Sequence, residues 1–116
     1  MNILVTGGAG YVGSACLRLL TAEGHNPIAY DNLVEGHPNA VDGASLVVGD
    51  IVDTALLEQT MRDHQIEAVM HFAAATYVGE SVTNPEYHYR NNIGGTLSLL
   101  NAMRAAGVGK MLFSST

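Results

Sequence analysis

Four glycines fall within the stretch TGGAGYVG, which runs from Thr6 to Gly13 and directly follows an apolar run at residues 3–5. Because glycine costs about 0.5–1 kcal/mol relative to alanine inside regular structure, such a cluster needs a local reason. The stretch fits the pattern G-x-G-x-x-G, which between a strand and a helix makes a tight turn and lets a pyrophosphate approach the backbone. The N–H groups of the helix N-terminus then face the phosphates. The stretch therefore predicts a dinucleotide site, with a strand-to-helix turn that binds no ligand as the alternative.

An acidic residue at the end of the second apolar segment indicates which dinucleotide binds. Asp31 lies about 20 residues beyond Gly10, where a carboxylate accepts hydrogen bonds from the ribose of an adenosine. The carboxylate would repel a 2′-phosphate, and the following Asn32-Leu33 supplies no arginine to bind one. We therefore expect NAD rather than NADP, with Gly7 and Gly10 among the contacts to the cofactor. The alternative for Asp31 is an exposed aspartate in a turn.

Short apolar segments alternate with helical patterns along the chain, and this alternation predicts the scaffold that positions these residues. The segments lack polar alternation, which is typical of parallel strands covered by helices on both faces. We therefore predict an α/β fold with a doubly wound parallel sheet and right-handed crossovers. The predicted strands are Asn2–Thr6, Pro27–Asp31, Ser45–Gly49, Ala68–Ala73 and Lys110–Ser114.

Three helices are predicted between these strands. Gly24 supplies a stop for the first helix, and Asp53 can cap the second. Asn84 followed by Pro85 predicts the start of a long third helix, which runs to Gly107. Helical spacing predicts that the buried face of the first helix consists of Val12, Ala15, Cys16, Leu19 and Leu20.

The composition excludes several classes of protein. The chain has 116 residues, enough for one domain, with 5 basic against 11 acidic residues and a net charge of −6. This balance argues against nucleic acid and anionic membranes as partners. No apolar run is long enough to span a membrane and no basic leader precedes the first strand, so we expect a cytoplasmic protein. The lone Cys16 fits a small buried side chain, and the histidines lack the spacing of metal ligands.

Further segments extend the pattern over the whole chain, which resembles the UDP-glucose 4-epimerases within the extended short-chain dehydrogenase/reductases. The segments are TGGAGYVGS, YDNL, GDI, HFAA, VGESVTNPEYHYRNNIGGT and FSST. Most are generic to that superfamily, whereas VGESVTNPEYHYRNN is more specific to hexose epimerases. The resemblance implies an NAD-binding Rossmann domain over residues 1–116, which stops before the family's Tyr-x-x-x-Lys segment and sugar-binding domain.

The resemblance also implies roles for individual residues. Tyr11 and Val12 would hold the pyrophosphate, and Asp31, Asn32 and Leu33 would hold the adenosine ribose. Thr76 stands where the family commonly has a lysine that contacts the cofactor. The other implied positions are Asp50 and Ile51 beside the adenine, Phe72, Ala73 and Ala74 along the cofactor cleft, Asn92 and Ser114 near the nicotinamide, and Thr116 at the reacting oxygen of the sugar.

Two of these roles have competing interpretations within the sequence itself. Asp50 can contact the adenine or can simply start the turn before the next helix. Phe72 can belong to the core as well as to the cleft. The neighbouring His71 lies on a buried strand, which favours a core histidine over a catalyst.

The implied function is NAD-dependent epimerisation at C4 of a UDP-hexose by transient hydride transfer, with this chain as the cofactor-binding portion. No tyrosine here is followed by lysine four positions later, so we expect the chain alone to be inactive. The alternatives are a nucleotide-sugar 4,6-dehydratase and a non-catalytic NAD-binding or interaction module. Met111, Leu112 and Phe113 on the last predicted strand leave an apolar sheet edge, so we also expect a homodimer.

Overall fold

The computed structural model describes residues 1–8, 11–32, 45–72 and 94–113, without the side chains of Tyr11 and Phe113. In this part of the chain five parallel strands form one sheet, in the order β3-β2-β1-β4-β5. The strands are β1 (Asn2–Thr6), β2 (Asn26–Asp31), β3 (Ser45–Val48), β4 (Ala68–His71) and β5 (Met111–Phe113); the helices are α1 (Tyr11–Ala22), α2 (Thr54–Asp63) and α3 (Gly95–Ala106).

The predicted doubly wound parallel sheet is confirmed. Alternate residues of β1 enter two separate cores, because successive side chains of a strand point to opposite faces of the sheet. The α1 core contains Ile3, Val5, Leu17 and Ala29. The α2–α3 core on the other face contains Leu4, Ile28, Tyr30, Ile51, Leu57, Met61, Ile66, Val69, Leu99, Ala102, Met103 and Val108. Both faces of the central strands are therefore covered, which explains their near-continuous apolar sequences.

The predicted strand bounds agree closely with the structure. β1 has the predicted bounds, and the predicted Ser45–Gly49 strand ends one residue earlier, at Val48. β2 begins one residue earlier than predicted, at Asn26, β4 ends at His71 before Phe72, and β5 begins one residue later, at Met111. Residues Ala73 and Ser114 of the predicted strands lie outside the described residues.

The predicted buried face of α1 is wrong by about one residue. Val12 and Leu19 are 56% and 67% exposed, whereas Ser14 and Leu17 are buried. The reason is a backbone contact between the turn after β1 and the helix. Gly13 packs directly on Gly7, so the Gly13 side of the helix has to face the sheet. That contact determines the rotation of α1 more strongly than the apolar spacing does.

The second helix has the predicted cap, and the ends of the helices follow the predicted stops. The carboxylate of Asp53 accepts a hydrogen bond from the Leu56 amide at 3.1 Å. Gly24 and Gly107, which follow α1 and α3, both have positive φ. The predicted start of the third helix at Asn84-Pro85 lies outside the described residues.

Two polar contacts join α2 to α3. The hydroxyls of Thr54 and Ser98 lie 2.6 Å apart, and the Arg62 guanidinium donates to the Ala105 carbonyl oxygen at 2.6 Å. Across the described residues, no helix combines the length and apolar character needed to cross a membrane.

Candidate functional site

The carboxyl ends of the strands meet at one edge of the sheet. Thr6 at the end of β1 pairs with Tyr30 of β2 on one side and with His71 of β4 on the other. The chain thus runs outward from β1 in both directions, and the crevice at such a reversal is where open parallel sheets bind ligands. Gly7, Asp31 and Phe72 follow or end these strands and lie at this edge.

The glycine turn after β1 is built from closely packed backbone. Gly7 has a φ of 76° and donates its N–H to the Tyr30 carbonyl oxygen at 2.8 Å. A Cβ on Gly13 would overlap the Gly7 carbonyl oxygen and would lie 2.8 Å from its carbonyl carbon. The first turn of α1 holds no acidic residue, so no carboxylate of that turn offsets the positive end of the helix dipole. This arrangement fits an anion such as a pyrophosphate.

Asp31 occupies the position expected for the ribose contact. It is the last residue of β2 and is 9% exposed. It follows Tyr30, whose carbonyl oxygen accepts the hydrogen bond from Gly7. The Asp31 carbonyl oxygen accepts a hydrogen bond from the Gly49 amide at 3.1 Å, which fastens the end of β2 to the end of β3. The half-buried Asn32 follows it.

Asp50 starts the turn before α2, as one of its two interpretations expected. Its carboxylate accepts a hydrogen bond from the Val52 amide at 3.2 Å, and its carbonyl oxygen accepts one from the Asp53 amide at 3.0 Å. The residue is exposed at the carboxyl edge of the sheet, so the turn role does not exclude an adenine contact. The neighbouring Ile51 is 4% exposed, and its side chain belongs to the α2–α3 core.

Tyr30 contributes a contact that the sequence analysis missed. Its hydroxyl donates to the Asp50 carbonyl oxygen at 2.7 Å, which links the end of β2 to the turn before α2. Burial raises the pKa of Tyr30, and the nearby negative charges of Asp53 and Asp50 raise it further, so the phenol remains a donor. One signal was available, because a tyrosine in a buried strand normally needs a partner for its hydroxyl.

A second buried polar pair joins β1 to β4. The Thr6 hydroxyl oxygen lies 2.5 Å from Nδ1 of His71, and both residues are fully buried. The Phe72 amide also donates to the Thr6 hydroxyl oxygen, at 3.2 Å. Burial lowers the pKa of His71 to about 4, so its imidazole is neutral at neutral pH. The interpretation of His71 as a core residue is confirmed.

Two further side chains agree with their sequence interpretations. Phe72 is half-buried and packs against the α1 core. Cys16 is partly buried, with its Sγ 3.5 Å from the Met70 sulfur, and burial raises the pKa of its thiol. A thiol with a raised pKa is a poor nucleophile, which supports the structural role.

The placement of the other predicted site residues stays a prediction. Tyr11 is described only by its backbone, as the first residue of α1, and Val12 is exposed in the same turn. The predicted site residues that lie outside the described part of the chain are Gly10, Leu33, Ala73, Ala74, Thr76, Asn92, Ser114 and Thr116. The described residues contain no cluster of three or more acidic, histidine or cysteine side chains placed to hold a metal ion.

Sequence comparison finds epimerases among the relatives of this chain. A UDP-glucose 4-epimerase of Rhizobium meliloti (strain 1021) is 49% identical over 115 residues, which cover 99% of this chain and 35% of the relative. A UDP-glucose 4-epimerase of Klebsiella pneumoniae is 44% identical, with 100% of this chain and 89% of the relative covered. The chain therefore spans about 35% of the length of the Rhizobium protein but most of the Klebsiella sequence.

Comparison with solved structures gives the same result. The crystal structure of UDP-glucose 4-epimerase from Brucella ovis in complex with NAD matches with a TM-score of 0.95 and 51% identity, over 98% of this chain and 35% of that one. The Thermus thermophilus enzyme, also in complex with NAD, matches with a TM-score of 0.95 and 38% identity, over 100% of this chain and 38% of that one. The sequence profile of the NAD dependent epimerase/dehydratase family matches residues 3–116. This chain belongs to that family.

Proposed function

We propose that this chain binds NAD and serves as the cofactor-binding portion of a UDP-glucose 4-epimerase. The observation that carries the proposal is the junction between the glycine turn and β2. The Gly7 amide donates to the Tyr30 carbonyl oxygen, which brings the amino end of α1 and the carboxylate-bearing Asp31 to one edge of the sheet. This is the pairing of a phosphate-binding turn with a ribose-binding acid that a dinucleotide requires.

The residues of this edge divide the binding of the cofactor between them. The amides at the start of α1 bind the pyrophosphate, and the absence of acidic residues in that turn keeps its field favourable for an anion. Asp31 accepts hydrogen bonds from the adenosine ribose and repels a 2′-phosphate. When bound, NAD would supply the hydride acceptor for transient hydride transfer at C4 of the sugar.

We further propose that residues 1–116 bind the cofactor without epimerising a UDP-hexose by themselves. Thr116 matches the family's residue at the reacting oxygen of the sugar, but no tyrosine in the sequence has a lysine four positions later. By the resemblance, the tyrosine of such a pair is the general base that removes the proton of the sugar hydroxyl, and a general base is typically worth about 10²–10⁴-fold in rate. We therefore assign the binding of NAD to residues 1–116, and their five tyrosines do not supply the proton acceptor.

Calorimetric titration of the 116-residue chain with NAD and with NADP tests this function. We expect NAD to bind more tightly, because NADP places a phosphate against the Asp31 carboxylate. We also expect no UDP-galactose to form from UDP-glucose when NAD is present. A folded chain that binds both dinucleotides equally would contradict the cofactor assignment, and formation of UDP-galactose would contradict the division of roles.

We also propose that the protein forms a homodimer and that it lies in the cytoplasm. β5 lies at the edge of the described sheet, and Leu112 on it is 58% exposed. Unpaired apolar edges of this kind recruit a second chain. Light scattering at high concentration is expected to report the mass of a dimer. The substitution Leu112→Lys is expected to shift that mass towards the mass of the monomer. Leu19→Lys is the control, because Leu19 is 67% exposed on α1 and lies away from the β5 edge. A wild-type chain that is monomeric would contradict the proposal.

A further inference from the structure

Tyr30 is linked to the two segments that the proposed function assigns to the cofactor, and also to the Asp50 turn that the resemblance places beside the adenine. Its carbonyl oxygen accepts a hydrogen bond from the Gly7 amide at 2.8 Å, and its hydroxyl donates to the Asp50 carbonyl oxygen at 2.7 Å. Asp31 is the next residue in the chain. The tyrosine side chain is 1% exposed and packs in the α2–α3 core, so its hydroxyl is held in place by the surrounding core.

The segment after β3 crosses directly over this phenol. A Cβ on Gly49 would lie 2.6 Å from the Tyr30 hydroxyl oxygen and 2.5 Å from a methyl carbon of Leu56. A side chain at position 49 would require Leu56 or Tyr30 to move, and the Gly49 amide is fastened to the Asp31 carbonyl oxygen at 3.1 Å. The Asp50 carbonyl oxygen therefore takes its position from two donors, the Asp53 amide within the turn and the Tyr30 hydroxyl beneath it.

The location of this turn relates it to the base of the cofactor. β3 pairs with β2 on the side away from β1, so the turn after β3 lies beyond Asp31 and away from the glycine turn. A ribose held by Asp31, with its phosphates at α1, would place its base on this side. Asp50 is exposed there, and a carboxylate is an acceptor for the exocyclic amine of adenine.

We propose that Tyr30 is a positioning residue for adenine. Its hydroxyl holds the Asp50–Ile51 turn in position. In that position the Asp50 carboxylate can accept a hydrogen bond from an amine at C6 of the purine but not from an oxygen there. This inference rests on the proposed NAD function and adds a residue that does not itself touch the cofactor. Without the hydroxyl, the Asp50 carbonyl keeps its bond from Asp53 and Gly49 keeps its bond to Asp31, so the turn still forms but loses its direct hydrogen bond to the Tyr30 side chain.

The test replaces the hydroxyl alone with Tyr30→Phe and compares NAD with its hypoxanthine analogue, in which an oxygen replaces the amine at C6. We expect the affinity for NAD to fall about three- to tenfold, which corresponds to the loss of one hydrogen bond between the displaced turn and the adenine. The preference for NAD over the analogue is expected to fall with it. The preference for NAD over NADP is expected to stay, because Asp31 determines it. Thr60→Val is the matched control, since its buried hydroxyl donates to the Leu56 carbonyl oxygen within α2.

The outcomes of these titrations distinguish a failure of the Tyr30 inference from a failure of the proposed NAD function. A wild-type chain that is folded and binds neither NAD nor the analogue overturns the proposed function and the inference together. A wild type that prefers NAD, with an unchanged preference in Tyr30→Phe, overturns the inference alone. Gly49→Ala displaces the same turn from its other side and is expected to lower the same preference. It therefore serves as the test if circular dichroism shows that Tyr30→Phe does not fold.

Discussion

Replacing Gly13 with alanine is expected to lower the free energy of unfolding by about 1–3 kcal/mol, the usual range for overpacking a tight contact. In an ordinary helix this change would be stabilising, by up to about 1 kcal/mol. Here the added methyl would overlap the Gly7 carbonyl oxygen and lie 3.0 Å from Cα of Gly8, where backbone has to give way. Thermal or urea unfolding followed by circular dichroism measures the effect.

Gly109→Ala is the matched control for this change. A Cβ on Gly109 would have no atom within 4 Å, so we expect its stability to stay within about 0.5 kcal/mol of wild type. We also expect Gly13→Ala to weaken NAD binding, because the displaced turn is the one that binds the pyrophosphate. If Gly13→Ala proved as stable as Gly109→Ala, the close contact between the turn and α1 would be wrong.

Replacing Asp31 with alanine is expected to lower the affinity for NAD about ten- to a hundredfold, since a hydrogen bond to a charged group is worth about 1.5–3 kcal/mol. NADP is expected to lose less, because the same substitution removes the charge that repels its 2′-phosphate. The preference for NAD over NADP therefore shrinks. Calorimetric titration of both dinucleotides measures it.

Asp63→Ala controls for the loss of one negative charge. Asp63 is exposed at the end of α2, whereas Asp31 is 9% exposed at the end of β2. A general effect of net charge would change both variants alike, and we expect Asp63→Ala to bind as wild type does. An equal loss of NAD and NADP in Asp31→Ala would contradict the ribose contact.

Local patterns were enough to predict the parts of the fold that local physics decides. The apolar run of β1, the cap at Asp53 and the stop at Gly107 each depend on a few neighbouring residues, and each is confirmed. The rotation of α1 is different, because it depends on where the backbone of Gly7 lies in space. Apolar spacing alone cannot include that contact, so Leu19 was assigned to the wrong face.

The same difference between local and long-range contacts decides which parts of the candidate site could be predicted. The glycine pattern and Asp31 are recognisable because their spacing reflects a single strand-turn-helix unit followed by one strand. The hydrogen bond from Tyr30 to Asp50 joins residues 20 positions apart and depends on the register of β2 against β3. No short-range pattern carries that register. The two interpretations of Asp50 could therefore be stated from the sequence but not ranked.

The central place of β1 in the sheet has a consequence for how the chain is made. β1 leaves the ribosome before the other four strands of the sheet, yet its partner β4 comes much later, with Thr6 and His71 separated by 65 residues. At about 5–20 residues per second, roughly 3–13 s pass before that partner exists. During this interval the central strand of the sheet, whose residues 3–6 are buried in the folded chain, has an open edge. The nascent chain is then exposed to aggregation and is a natural client for chaperones that bind extended apolar segments.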